Sequence, residues 1–314
     1  LSSPPAPARH LALVGCTASG KSAIAFDVAR SLTESGDGPP VELVAVDSMQ
    51  VYRGMDIGTA KPSPAEQAEI PHHLIDLVDP AEEFTVTRYQ TAARAAMAAI
   101  ESRGHRALLV GGTGLYFQAL VDGLTPPGRY PDVRDRLEAE DDTPALHRRL
   151  SDLDPVAAAR MEPGNRRRVL RALEVTLGSG RPFSSFGPGV ATYPPTPFRL
   201  AGVWLPRPCV SRRIEVRFDT MMAAGLVDEV RRLATVPNGL SRTARQALGY
   251  REVLAHLEGG VPLAAAVDEA VRRTRAFARR QRVWWRRDPR VTWFGAADNP
   301  LALVPSLLGD WRQP

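Results

Sequence analysis

One octapeptide constrains this chain more than anything else in its 314 residues. Gly15-Cys16-Thr17-Ala18-Ser19-Gly20-Lys21-Ser22 fits G-x-x-x-x-G-K-[ST]. The apolar run Leu11-Ala12-Leu13-Val14 precedes it, and the helix-like Ile24-Ala25-Phe26-Asp27-Val28-Ala29 follows. In that strand–loop–helix setting the loop wraps backbone N–H groups around a phosphate, with the positive end of the helix behind them. Lys21 adds a point charge, and the Ser22 hydroxyl is of the type that holds magnesium. Lysine is otherwise rare here: Lys61 is the only other one, and the remaining basic residues are arginine. The motif therefore predicts a phosphorylated ligand.

A hydrophobic content of 44% suits a protein with a sizeable core. Cys16 and Cys209 give neither a disulfide framework nor metal-ligand spacing, and read as reduced thiols of a cytoplasmic protein. His72-His73 has no further ligands at metal spacing and reads as a packing pair. Leu1 to Arg9 is rich in Pro, Ser and Ala without an apolar core, so a frayed tail is expected there, with no signal peptide or membrane span. A monomer is expected.

Strand-length apolar runs at Val41–Val46, Arg106–Val110 and, more weakly, His73–Val78 alternate with helical segments such as Val86–Ser102. The expected fold class is α/β: a P-loop NTPase-like parallel sheet with helices on both faces. Ligands of such sheets sit beyond the carboxyl ends of the strands, so the loops starting at Gly15, Asp47 and Gly111 should meet at one cleft. After Pro126-Pro127-Gly128 the pattern becomes short helices near 132–140, 144–152, 155–161 and 166–177, followed by a Pro/Gly/Ser-rich stretch, 178–198. Residues 124–198 thus read as an all-helical insertion into a core domain made of 1–123 and 199–314. The second core segment should hold a strand at Leu200–Leu205, helices near 209–224, 226–234, 243–258 and 263–287, and a short strand at Val291–Phe294.

Charge is unevenly spread. Residues 1–123 carry net −5, residues 124–198 net +1 and residues 199–314 net +9. On the 263–287 helix, Arg272, Arg275, Arg279, Arg282 and Arg286 fall in one stripe at 100° per residue, flanked by Arg273, Arg280 and Arg287. Phe277, Ala278, Trp284 and Trp285 face the other way, where the tryptophans are expected to pack in the core. So many like charges on one face suggest a polyanionic partner, the alternative being a solvated face. If the arginines hold RNA phosphates, affinity should fall with salt by a slope of about −0.7 per contact on a single-stranded loop.

Several stretches, in this order, resemble tRNA dimethylallyltransferases. They are the phosphate loop, Asp47-Ser48-Met49-Gln50-Val51-Tyr52-Arg53-Gly54-Met55-Asp56-Ile57-Gly58-Thr59-Ala60-Lys61-Pro62, and Pro71-His72-His73-Leu74-Ile75-Asp76. Gly111-Gly112-Thr113-Gly114-Leu115-Tyr116-Phe117, Asp154–Arg160, Arg171–Val175 and Gln246-Ala247-Leu248-Gly249-Tyr250-Arg251-Glu252 continue the match. The resemblance spans about residues 11 to 295, and Asp47–Pro62 is more specific than the phosphate loop. Two positions depart from it: Cys16 replaces the usual proline, and Gly164-Asn165 the usual Asn-Asp.

The resemblance implies transfer of a dimethylallyl group from dimethylallyl diphosphate to the exocyclic N6 amine of the adenosine just 3′ of the anticodon. The tRNAs would be those reading codons that begin with U, and diphosphate would be released. It implies Mg2+, with Ser22 as its protein ligand, and a phosphate loop, Gly15 to Ser22, that grips diphosphate with help from Arg217. Lys21, Asp47 and Thr113 would be catalytic. Contacts to the anticodon stem-loop would come from Asp47, Ser48, Met49, Gln50, Thr113, Arg134, Arg167, Arg168, Arg171, Gln246, Gly249, Tyr250 and Arg251.

An adenine amine is a weak nucleophile, and a carboxylate of ordinary pKa, roughly 3.9, does not strip its proton in advance. The feasible order is ionisation of the allylic C–O bond, nitrogen attack, then proton loss to Asp47. Asp47 is alternatively a magnesium-holding carboxylate, and Thr113 a helix N-cap. Two other functions fit the bare motif: prenylation of free adenine nucleotides, and an ATP-dependent small-molecule kinase. The target base must be turned out of its stacked loop to react.

Overall fold

The computed structural model describes residues 10–36, 38–187, 189–237 and 239–312; the tail expected at Leu1–Arg9 lies outside them. The chain divides into two compact units, Asp122–Thr192 and the remainder on either side of it.

The larger unit is built on six parallel strands in the order β3-β2-β4-β1-β5-β6. They are β1 (His10–Val14), β2 (Val41–Val46), β3 (His72–His73), β4 (Arg106–Gly111), β5 (Phe198–Trp204) and β6 (Thr292–Gly295). All of β1 is buried, as a central strand covered on both faces must be. Helices α1 (Lys21–Ser35), α2 (Pro64–Glu69), α3 (Val86–Ser102) and α4 (Gly114–Val121) alternate with the first four strands. The smaller unit then contributes α5 (Pro131–Glu138), α6 (Thr143–Leu153), α7 (Pro155–Ala158) and α8 (Arg166–Ser179). After β5 come α9 (Arg207–Ala223), α10 (Leu226–Ala234), α11 (Tyr250–Leu257) and α12 (Leu263–Trp285), and α13 (Val304–Arg312) follows β6.

Register positions the site. Val14 pairs with Gly111 across β1 and β4, and Val46 pairs with the same Gly111 across β2 and β4. Three neighbouring strands therefore end level, and the loops beginning at Gly15, Asp47 and Gly112 leave side by side. Thr113 N–H donates to Val46 O at 3.3 Å, closing the β4 loop onto the end of β2.

Two expected elements change. The strand expected over His73–Val78 stops at His73, because Leu74 and Asp76 adopt left-handed backbone (φ 66 and 55) and turn the chain. The helix expected over 243–258 is a short 3-10 turn, Ala244–Gln246, then α11, separated at Gly249 (φ 90), a backbone conformation that glycine accepts readily. Helix α13, not expected from the sequence, joins α1 through Leu307 and Trp311 in the core on one face of the sheet.

The smaller unit has its own core, in which Leu137, Leu146 and Leu150 meet Val169, Leu170 and Leu173. Asp154 caps α7 through Ala157 N–H and also accepts Ser184 N–H at 2.7 Å.

A charge cluster around one buried carboxylate holds the amino-terminal edge of the sheet. Glu42, on β2, accepts Arg103 Nη2 at 2.8 Å and lies 2.5 Å from His73 Nε2 and 2.6 Å from His105 Nδ1. Burial pushes the Glu42 carboxyl up, but the hydrogen bonds from Arg103, His73 and His105 outweigh it and hold it at about 2. The folded value lies below the unfolded one of 4.5, so the stabilisation is complete above that pH and lost as pH falls towards 2. Glu42→Gln is expected to lower unfolding free energy by about 3 kcal/mol at pH 7, a difference that shrinks on acidification through that window. Denaturant titrations at several pH values check this; equal stabilities at pH 7 would refute it.

Candidate active site

The phosphate loop occupies the turn from β1 into α1. Ala18 and Gly20 take left-handed backbone (φ 59 and 85), and Ser19 N–H donates to Cys16 O at 3.3 Å. Lys21 Nζ folds back to donate to the same carbonyl at 3.3 Å. The Cys16 side chain is buried in a cluster with Leu205, Val210 and Ile214. The departure from proline thus leaves the cradle's backbone intact.

A cavity of about 980 Å³ opens on this loop. Its lining combines Lys21 and Ser22 with Arg212, Arg213 and Arg217 of α9. Apolar lining comes from Ala23, Ile57, Ala60, Pro62, Val216 and Met221, and Val216 is 58% exposed. Arg213, four residues before Arg217 on the same helical face, donates its Nε to Ala18 O at 2.9 Å. Burial pushes the Lys21 ammonium below its ordinary range; Cys16 and Asp47 pull it up again, and Arg217 presses it down. Burial likewise lowers Arg217, with Asp47 opposing. Asp47 thus acts electrostatically on both Lys21 and Arg217, while neither Asp47 nor Thr113 lines the cavity itself.

Asp47 follows β2 directly, and its Oδ1 accepts Met49 N–H at 2.8 Å, which fixes the carboxylate at the strand's end. Beneath it, Tyr89 donates its hydroxyl to Ala45 O and stacks on Tyr116 at 4.5 Å. Gln50 Nε2 donates to Thr59 O and Ala60 O, both at 3.2 Å, drawing the two ends of the segment together. Sequence reading missed what secures the middle. The buried Glu229 carboxylate accepts the backbone N–H groups of Asp56, Ile57 and Gly58, and Lys61 Nζ sits 2.6 Å from both Asp56 and Asp76. The only hint of Glu229 was an acidic residue on the apolar face of α10.

The residues expected to contact RNA differ in exposure and in pairing. Tyr250 is fully buried and donates its hydroxyl to Glu229 at 2.5 Å, and Gly249 is buried beside it. Tyr250 supports the 56–58 turn through Glu229, and Gly249 N–H donates to Glu252 at 2.9 Å; Gln246 and Arg251 of the same segment are exposed. The arginine arc of α12 also divides. Arg282 points inward, donating to Leu205 O at 2.8 Å with its guanidinium 3.8 Å above Trp204. Arg272 and Arg273 pair with Glu269, and Arg275 with Glu215. What remains outward is Arg279, Arg280, Arg286 and Arg287, all exposed. Trp285 is buried against Phe117, as expected for a core residue. In the smaller unit Arg167 and Arg168 are exposed at the start of α8. Arg171 is held by Glu174 at 2.7 Å and Arg134 by Glu138 at 2.7 Å. Asn165 caps α8 through Arg168 N–H, so the Gly164-Asn165 departure still ends in an ordered turn.

The IPP transferase family model matches residues 50–288. The chain belongs to the IPP transferase family. It is 47% identical over 303 residues to the tRNA dimethylallyltransferase of Kineococcus radiotolerans, covering 95% of each chain. To that of Moorella thermoacetica it is 46% identical, covering 96% of this chain and 94% of the relative. Among solved structures, the tRNA isopentenylpyrophosphate transferase of Bacillus halodurans superposes with TM-score 0.68 at 36% identity, over 98% of this chain and 97% of the other. A eukaryotic dimethylallyltransferase acting on tRNA gives TM-score 0.73 at 26% identity, over 92% and 74%. The parallel sheet and its phosphate loop are those of a P-loop-like α/β fold. No helix among the described residues is long and apolar enough to cross a membrane.

Proposed function

We propose that this IPP transferase family member moves a dimethylallyl group from dimethylallyl diphosphate to N6 of the adenosine immediately 3′ of the anticodon. The tRNAs are those reading codons that begin with U. The observation that carries the reading is the mixed character of the cavity. Basic groups from the phosphate loop and α9 sit beside an apolar lining, which suits an anion joined to a hydrocarbon. A bare kinase site would need only the first half of that lining.

In this reading the allylic C1–O bond breaks towards the phosphate loop, where Lys21, Arg217 and the loop N–H groups stabilise the charge growing on diphosphate. N6 attacks C1, and its proton passes to the Asp47 carboxylate as nitrogen becomes acidic. Thr113, beside Asp47 at the end of the neighbouring strand, orients the adenosine. Ser22 is exposed and lines the cavity, and its hard hydroxyl oxygen fits a magnesium ion otherwise held by phosphate oxygens and water. Magnesium bound there would neutralise charge on the leaving group. Exposed Gln246, Arg251, Arg167 and Arg168 are the proposed tRNA contacts, with Arg279, Arg280, Arg286 and Arg287 on phosphates.

The lowered Lys21 pKa yields a pH dependence of definite sign. Bound diphosphate stabilises the ammonium and raises its pKa, so binding takes up a proton wherever the free enzyme has lost it. Donor affinity should therefore weaken as pH rises from the lowered free-enzyme value through the bound one. Calorimetric titration with a non-reacting thiodiphosphate analogue checks this, and a flat affinity from pH 7 to 10 would contradict it. The function itself is tested by mass spectrometry of cellular tRNA with and without the protein. The prenyl mass on the adenosine 3′ of the anticodon should vanish from U-reading tRNAs when the protein is removed; its persistence would reject the reading.

A further inference from the structure

One side chain bridges the phosphate loop and the loop that carries Thr113, which also lie close where the Gly112 backbone faces Gly15 O. Gln281, on the buried face of α12 and 6% exposed, accepts Thr17 N–H on Oε1 at 2.8 Å. From the other end of the same amide, Nε2 donates to Gly112 O at 2.9 Å. A Cβ built on Gly112 would lie 2.3 Å from that Nε2, so position 112 must lack a side chain for the contact to form. Only a primary amide of this length supplies an acceptor and a donor to both loops at once. The next residue, Arg282, anchors the same turn of α12 to Leu205 O, just past the end of β5.

We propose that Gln281 is a positioning residue for the transfer: it sets the spacing between the leaving-group cradle and the acceptor loop. The Thr17 N–H, engaged by Gln281, is turned away from the phosphate cradle and serves as a strut. The Gly112 carbonyl, held by the other end, orients the peptide leading into Thr113. Reacting atoms must approach within about 3–3.5 Å, and misplacement by about 1 Å lowers rates on the order of 10²-fold. A brace that joins the two half-sites therefore acts on the rate of transfer more than on either binding event. The same helix bears exposed Arg279 and Arg280, and exposed Arg286 and Arg287 follow its last turn, so the element that carries this brace also leads into the proposed RNA phosphate contacts.

This inference rests on the function proposed above, and the test separates the two. Gln281→Met keeps the length and removes both hydrogen bonds; Gln281→Glu keeps the acceptor towards Thr17 and sets a carboxylate oxygen against the Gly112 carbonyl. Each variant is measured for thermal midpoint, affinity for the dimethylallyl thiodiphosphate analogue, affinity for an unmodified anticodon stem-loop, and single-turnover transfer with both substrates saturating. The expected result is a 10- to 100-fold loss of single-turnover rate in both, with analogue and RNA affinities within about threefold of wild type. Should Gln281→Met fold poorly, Gln281→Glu decides, its analogue binding reporting an intact phosphate loop. A wild-type rate at saturation, or a loss confined to affinity and thermal midpoint, would overturn the positioning role. Absence of any transfer by the wild-type protein would instead overturn the proposed function.

Discussion

Asp47→Asn is expected to cut the rate of transfer about 10²-fold or more while leaving donor affinity unchanged or slightly tighter. The direction of the second effect comes from the electrostatics of the site. The Asp47 charge acts on both Lys21 and Arg217, favouring their charged forms, and it opposes an incoming diphosphate. Removing it takes away the proton acceptor and an unfavourable charge together. The alternative, a carboxylate that holds magnesium, predicts the opposite: donor affinity should fall, and more so in the presence of the metal. Titration of the variant with the thiodiphosphate analogue, with and without Mg2+, separates the roles. Asp47 also accepts Met49 N–H, a bond that the amide oxygen of Asn can retain, so the loop should hold its shape.

Lys21→Met should have the larger effect, about 10³-fold on kcat/KM for the donor. Its ammonium donates to Cys16 O within the phosphate loop, and in the proposed reaction leaving-group charge would grow beside that loop. Ground-state binding should weaken less than kcat/KM, since the charge on diphosphate increases as the C–O bond breaks. Equal losses in affinity and kcat/KM would mean that Lys21 binds donor without stabilising the transition state.

The phosphate loop was legible because strand, glycine spacing and helix start agree with each other over some fifteen residues. The parallel sheet was legible for the same reason: β2 and β4 are short apolar runs separated by helical periodicity. Asp47 could be placed because a strand's end determines where the next side chain emerges. Legibility failed where one buried contact decides the outcome. Leu74 and Asp76 adopt left-handed backbone that no propensity assigns to them, and so end β3 early. Helical periodicity placed Arg282 in the outward stripe, yet it faces inward, where Trp204 and Leu205 O satisfy its charge. Tyr250 belongs to a stretch that resembles tRNA dimethylallyltransferases, and its partner is Glu229, 21 residues earlier on another helix. Gln281 and Glu229 contact backbone groups remote in sequence, and the one local sign of either is an acidic residue on the apolar face of α10.

The central claim is that the cradle grips the leaving group of a prenyl donor. It is tested most directly by incubating the purified protein with Mg2+ and an unmodified anticodon stem-loop, supplying labelled dimethylallyl diphosphate in one arm and labelled ATP in the other. Label should pass from the prenyl donor to the adenosine 3′ of the anticodon, with one diphosphate released per base modified, and AMP offered in place of RNA should remain unlabelled. An inert prenyl donor together with hydrolysis or phosphate transfer from ATP would contradict the account.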